Sequence, residues 1–240
     1  DQVRVMPFLE GIPCSIHGIV LRDGVAALRP VERVTLRRGH VLVFAGCATV
    51  WVPPDDVRER MRTVARRAGE QLAHEVDFRG TFTVDGVVTS NGFRPTELNP
   101  RFGAGINTIG RASMLPIVLL NDLIVAGHEI GLSAPEFERR LVDAADEHRG
   151  GGTWISGADA AMALAAEPVV ADEAGEFRRA QPTDSPTATV MAGGDHVRCR
   201  YEPGAVPVGP STGALAASFW RFADRELGTD VGPLTPAGQL

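Results

Sequence analysis

The chain has 240 residues, 44% of them apolar, which suits one large domain or two small ones with an ordinary core. A net charge of −6 and a pI near 5.5 argue against the basic face that nucleic acid requires. No apolar run reaches the roughly 18 residues of a membrane span, so no membrane partner is expected either.

Cys14, Cys47 and Cys199 are scattered and odd in number, so they form no disulfide or metal framework. Reduced, partly buried thiols in a cytoplasmic protein are the expectation, with no signal peptide ahead of the first strand. All 24 lysine-or-arginine positions are arginine.

In chain order, residues 3–9 and 14–21 read as strands around a Glu10-Gly11 turn, and Asp23-Gly24 reads as a hairpin turn. Residues 25–52 alternate strand-like runs such as Val41-Leu42-Val43-Phe44 with polar breaks. Pro53-Pro54-Asp55-Asp56 starts a helix to about residue 75, with Val57, Met61, Val64, Ala68 and Leu72 at helical spacing. A short strand over 80–86 ends in an Asp85-Gly86 turn signal, and Ser90-Asn91-Gly92 is a second turn cluster.

Residues 113–126 predict a largely buried helix, and 134–149 an amphipathic one stopped by Gly150-Gly151-Gly152. That glycine run is taken as a boundary between a unit over 1–150 and a small α+β unit over 151–240. The second unit reads as an Ala-rich helix (158–167), a polar segment (181–189), a strand (197–201), a loop (203–212) and a helix (214–227) capped from Ser211-Thr212. The tail from Gly228 is expected to be mobile, and no internal repeat is present.

The densest chemistry lies in 95–105, Pro-Thr-Glu-Leu-Asn-Pro-Arg-Phe-Gly-Ala-Gly. On a strand, Glu97 and Asn99 point to one face and Leu98 to the other. A carboxylate beside an amide oxygen is a hard-donor pair suited to magnesium. Pro100 ends the strand, Arg101 sits where a guanidinium takes a phosphate or carboxylate, and Gly103 and Gly105 let the backbone approach a ligand closely.

Together with Gly80-Thr81-Phe82-Thr83-Val84-Asp85, this segment resembles the metal-binding strand pair of the ATP-grasp ligases, Gly-Thr-Phe followed by Glu-x-Asn-Pro-Arg-x-Gly. Upstream, residues 5–18 (Val-Met-Pro-Phe-Leu-Glu-Gly-Ile-Pro-Cys-Ser-Ile-His-Gly) are similar to the adenine-hinge strand of the same family, in the same order. The likeness covers about the first 130 residues and looks closest to the ATP-grasp peptide ligases of the pheganomycin pathway.

The resemblance implies an α+β fold, an ATP-grasp C-terminal lobe with an antiparallel-rich sheet backed by helices. It implies ATP and magnesium as cofactors, small-molecule or peptide carboxylate and amine substrates, and allows a homodimer. Carried over residue by residue, Glu97 and Asn99 hold the metal and Arg101 stabilises the transferred group. Backbone groups of Met6, Pro7, Phe8 and Leu9 meet adenine.

The chain departs from the family where Thr83 replaces the usual first metal acid; Asp85, two residues on and on the same face, is either its substitute as a metal ligand or a turn residue before Gly86. No acid follows the hinge glycine at the ribose position, so either Glu10 or another contact takes that role. His17 either packs in the sheet or faces the phosphates, and Arg29, Arg33, Arg37 and Arg38 lie on strands that line the same cleft. The lysines with which the family's first half holds phosphate are absent, and the chain starts inside a strand-like run, so a longer protein is inferred.

The expected activity is ADP-forming amide-bond synthesis through an acyl phosphate. Two alternatives stay open: a ligase or carboxylase with a non-peptide acceptor, and a non-catalytic nucleotide-binding or scaffold fragment, which the missing lysines and Thr83 favour.

Overall fold

A computed structural model describes residues 5, 7–158, 160, 163–193 and 196–237. Its centre is one antiparallel sheet. The first strands are β1 (Ile12–Val20), β2 (Val25–Arg38) and β3 (Val41–Ala48), followed by α1 (Asp55–Val76). Next come β4 (Gly80–Thr89), β5 (Gly92–Asn99), α2 (Ala104–Ser113), α3 (Ile117–Val125) and α4 (Ala134–Glu147). The remainder is β6 (Gly151–Ser156), β7 (Leu164–Ala171), β8 (Phe177–Arg179), β9 (Ala188–Gly193), β10 (His196–Tyr201), α5 (Gly213–Leu227) and β11 (Thr235–Pro236). The strands line up as β5-β4-β1-β2-β3-β6-β10-β9-β7-β8, with β11 on β2.

Alternation along these strands divides the core in two. On one face, Ile16, Phe82 and Val84 pack with Val57, Met61 and Ala65 of α1. Further along that face, α5 sets Phe219, Trp220 and Ala223 against Val34, Leu36, Val190 and Val197. On the other face, Ile19, Leu28 and Val31 meet Ile106 and Ile109 of α2 and Phe137 and Leu141 of α4. Apolar burial over both faces drives the assembly. No single helix among the described residues is long and apolar enough to cross a membrane, and all three cysteines are free and buried.

Several local expectations are corrected. The described residues among 3–9 form no strand. Asp85-Gly86 is not a turn: β4 runs through it, because β1 and β5 pair on either side. Gly86 is small for another reason, since a Cβ there would lie 2.5 Å from the Arg94 carbonyl oxygen at a β-bulge. Residues 113–126 are not one helix. Met114 turns left-handed (φ 54°) and Pro116 lacks an N–H, so α2 ends and α3 begins there.

Residues 164–167 of the Ala-rich run are strand, because β7 pairs with β9 and β8 on its two sides. Cross-strand pairing overrides the helix preference of alanine. At the start of α5, Ser211 Oγ accepts from Gly213 N at 3.1 Å as expected, and Glu32 adds a carboxylate that accepts from Thr212 N (2.9 Å) and Thr212 Oγ1 (2.8 Å). The tail is anchored: Val231 and Leu234 are buried, and Asp224 accepts from the backbone of Val231 and Gly232. Gly151 and Gly152 belong to β6, which pairs with β3 and β10, so the sheet is continuous through residue 150.

Candidate active site

The site grows from the register of three neighbouring strands. Ser15 of β1 stands opposite Asp85 of β4, and Asp85 opposite Glu97 of β5. One step along, His17 stands opposite Thr83, and Thr83 opposite Asn99. These two rows face the α2 side of the sheet. Glu97 and Asn99 share that face, and Leu98 is turned away.

Asp85 is the hub. Its Oδ1 accepts from Ser15 Oγ at 2.6 Å, and its Oδ2 accepts from Asn99 Nδ2 at 3.1 Å. Arg33 Nη1, reaching across from β2, lies 3.0 Å from the same Oδ2. Asp85 is therefore buried but satisfied, with its charge balanced by Arg33. Asn99, with its amide nitrogen turned to Asp85, keeps its carbonyl oxygen without a protein partner among the described residues. Glu97 is exposed and likewise unpaired among them.

At Pro100 the chain leaves the sheet in a tight turn, where Arg101 N donates to Asn99 O at 2.8 Å. This sets Arg101 on the surface at the end of β5; its Nη1 donates to Phe102 O at 3.4 Å. Helix α2 then starts at Gly103, directly above His17.

His17 is sealed under that helix. Its Nδ1 pairs with Thr83 Oγ1 at 2.8 Å, and its Nε2 is buried without a partner. A Cβ at Gly105 would lie 2.2 Å from Nε2, and one at Gly103 would lie 2.4 Å from Thr83 Oγ1. The two glycines thus serve the close fit of the α2 start onto His17 and Thr83. Burial, and then the charge of Arg33, lower the His17 pKa to about 3, so the imidazole is neutral at physiological pH. Expected as a nucleotide contact, His17 instead presents no open edge and no charge to a phosphate.

The expected hinge falls partly outside the described residues, which do not include Met6. Pro7, Phe8 and Glu10 are exposed, Leu9 is half-buried, and none is in a strand. The Arg37 guanidinium lies 5.5 Å over the Phe8 ring and ties the segment to β2. Of the other arginines, Arg29 is buried and pairs with Asp146 of α4 at 2.5 Å, while Arg38 reaches the Val231 carbonyl at 3.4 Å. Arg33 is the member of this set that joins the carboxylate rows.

Past Arg33 the same face carries a ladder of cations and rings. Arg33 lies 5.4 Å over Phe44, Phe44 meets Trp154 edge-on at 5.7 Å, and Arg198 lies 5.4 Å over Trp154. Sequence reasoning missed Trp154, Arg198 and Arg200. The local signal is slight, an Arg-x-Arg alternation on one strand, and their partners come from distant segments.

The chain is similar to solved carboxylase structures. It matches the biotin carboxylase domain of a thermophilic 2-oxoglutarate carboxylase bound to bicarbonate with a TM-score of 0.52 and 12% identity, over 95% of this chain and 48% of that one. The biotin carboxylase subunit of a pyruvate carboxylase gives 0.52 and 12%, over 95% and 47%. The fold is the ATP-grasp fold, α+β with an antiparallel-rich sheet. A Rhizobium etli pyruvate carboxylase matches this chain at 0.53 and 14%, over 97% of the chain and 23% of the enzyme. At such identities the likeness is one of fold, and the chain spans just under half the length of the first two structures. No protein-family model and no curated protein matches it.

Proposed function

We propose that the chain is the C-terminal lobe of an ATP-dependent ligase that joins a carboxylate to an amine through an acyl phosphate, releasing ADP and phosphate. The observation that carries this reading is the convergence of Asp85, Glu97 and Asn99 on one face, with Arg33 and Arg101 beside them, at the start of α2.

The donor set fits magnesium. That ion favours hard oxygens and takes one or two from the protein while phosphates and water complete its shell. Glu97 and Asn99 are the residues that would hold it, because their side-chain oxygens lack protein partners among the described residues. Asp85, expected as a further ligand, has Oδ2 engaged by Asn99 and Arg33; its role here is to orient both. Bound magnesium supplies charge neutralisation at the β- and γ-phosphates.

The chain's own residues do the rest by placement and electrostatics. Arg33, half-exposed beside Asp85, would take the phosphate-binding part that no lysine of this chain can fill. Arg101 stabilises the charge of the acyl phosphate as the acid's oxygen meets the γ-phosphorus. Exposed Phe8, Leu42 and Phe44 offer an apolar seat for the base. The amine then attacks the acyl carbon and phosphate leaves. The sequence resemblance to the peptide ligases of the pheganomycin pathway suggests a peptide or peptide-like product. Residues 1–150 would carry the nucleotide side and 151–240 the substrate side.

The test places oxygen-18 in the carboxylate of the acid substrate and follows the products in the full-length protein. Label in released phosphate, with ADP, supports the reading; AMP in step with product overturns it. A second reading, carboxylation, is favoured by the likeness to biotin carboxylase domains, one of them bound to bicarbonate. It is distinguished by ADP release that requires bicarbonate and no organic acid.

A further inference from the structure

Beyond Trp154 the carboxylate face opens into a cavity of about 570 Å³ between α2, the end of α4, and strands β6 and β10. Its α2 wall is one helical stripe, Ala104, Asn107, Thr108 and Arg111. Its floor comes from β6 and β10, where register sets Arg198 opposite Trp154 and Arg200 opposite Gly152. A Cβ at Gly152 would lie 2.3 Å from the Cys199 carbonyl oxygen, so the close pairing of β6 with β10 beneath Arg200 needs glycine there.

Three of its arginines lack a compensating acid. Arg111, Arg198 and Arg200 form no ion pair with a carboxylate among the described residues. Arg149, at the same cavity, is already paired with Asp146 at 3.1 Å. Glu202, its acid, receives a hydrogen bond from Thr189. Arg198 is held in place by its stack on Trp154, while its Nε is buried without a partner. Burial, and next the charges of Arg111 and Arg200, lower its pKa, so the three cations lie close enough to repel one another. A chain with a net charge of −6 has concentrated unpaired positive charge in a concave site. That arrangement is relieved by an anion, and guanidinium forks match the oxygens of carboxylate or phosphate.

We infer that this cavity receives a second anionic group, carboxylate or phosphate, on the substrate of the ligation, held by Arg111, Arg198 and Arg200. The inference rests on the ligase reading above and names the substrate class for it. Helix α2 sets the scale. Its start adjoins Asn99 and Arg101, and Arg111 stands seven residues on, about 10 Å away at 1.5 Å per residue. An extended peptide covers that distance in about three residues, at roughly 3.3–3.6 Å each. The substrate is thus a short acid whose reacting carboxylate lies at the α2 start and whose far end is charged. Trp154 lies alongside that path.

The test uses fluorescence titration of the full-length protein with glutarate and, separately, inorganic phosphate, without nucleotide. Trp51 and Trp220 are buried in the core, so half-buried Trp154 reports on the cavity. The expected result is a saturable change with at least one probe, weakened tenfold or more in Arg200→Gln and in the Arg111→Gln/Arg200→Gln double variant, and preserved in Arg140→Gln, an exposed α4 arginine paired with Glu136 outside the cavity. Both arginines are exposed, so the folded state should tolerate these changes, and a melting curve checks this. Response to glutarate alone assigns a carboxylate, and to phosphate alone a phosphoryl group. No saturable change with either probe, or equal affinity in the double variant, overturns the inference. Anion binding that persists where no acid and amine produce ADP would sink the ligase reading and leave the receptor standing.

Discussion

Arg33 Nη1 and Asp85 Oδ2 lie 3.0 Å apart, the cation from β2 and the carboxylate from β4, with β1 between them. The pair joins β4 and β5 to the aromatic ladder, and through Asp85 it fixes the amide of Asn99. Asp85→Asn should therefore act at a distance of one side chain. It keeps the shape, weakens the hold on Arg33 and frees Asn99 to rotate. We expect ADP release to fall by about 10²-fold or more, the scale of losing one preorganised electrostatic contact. Steady-state turnover beside a thermal melt checks this; a variant with wild-type turnover would remove Asp85 from the machinery.

His17 gives the fold an acid-sensitive point. Its pKa falls from 6.5 in the unfolded chain to about 3 when folded, chiefly by burial. The unfolded state then binds more protons between those values, so stability is full above about pH 6.5 and declines as pH drops toward 3. The loss amounts to a few kcal/mol across the window. His17→Gln should flatten the decline. Denaturant melts of both proteins at several pH values decide it, and parallel slopes would show that His17 does not titrate this way.

Gly105 and His17 should be energetically coupled. Gly105→Ala places a Cβ where the imidazole Nε2 sits, at 2.2 Å, and overpacking of this kind costs about 1–3 kcal/mol. Removing the ring relieves the clash, so His17→Ala/Gly105→Ala should be less destabilised than the sum of the single changes. A double-mutant cycle on unfolding free energies measures the coupling. Additive effects would mean that α2 moves off the ring at no cost.

Arg29 carries structure rather than chemistry. It is buried and bridges β2 to Asp146 of α4. Arg29→Ala removes a buried guanidinium from half-exposed Asp146 and from the buried Trp51 carbonyl, and should lower stability by about 1–3 kcal/mol. ATP affinity of the folded fraction should be unaffected. Calorimetry showing normal stability and lost ATP binding would move Arg29 into the cleft.

The rows at the site were legible because they depend on strand alternation alone. Once Glu97 and Asn99 are on a strand, their shared face follows, and Pro100 marks where that strand ends. Helix α2 was not legible. Its sequence, Ala-Gly-Ile-Asn-Thr-Ile-Gly-Arg-Ala-Ser, holds two glycines and weak helix formers, and burial of Ile106 and Ile109 is what sustains it. The Asp85-Gly86 pair misled because a turn signal and a bulge under a neighbouring strand use the same residue for different reasons. Arg198 and Arg200 gave only an Arg-x-Arg alternation, since Arg111 and Trp154, which complete the cluster, come from other parts of the chain.

The most direct test of the central claim is ADP release by Glu97→Gln at saturating magnesium, in the presence of acid and amine. Glu97 is exposed and unpaired among the described residues, so the change should leave the melting temperature where it is. The account predicts loss of turnover by at least about 10²-fold in a fully folded protein. Near-normal ADP release from that variant would contradict it.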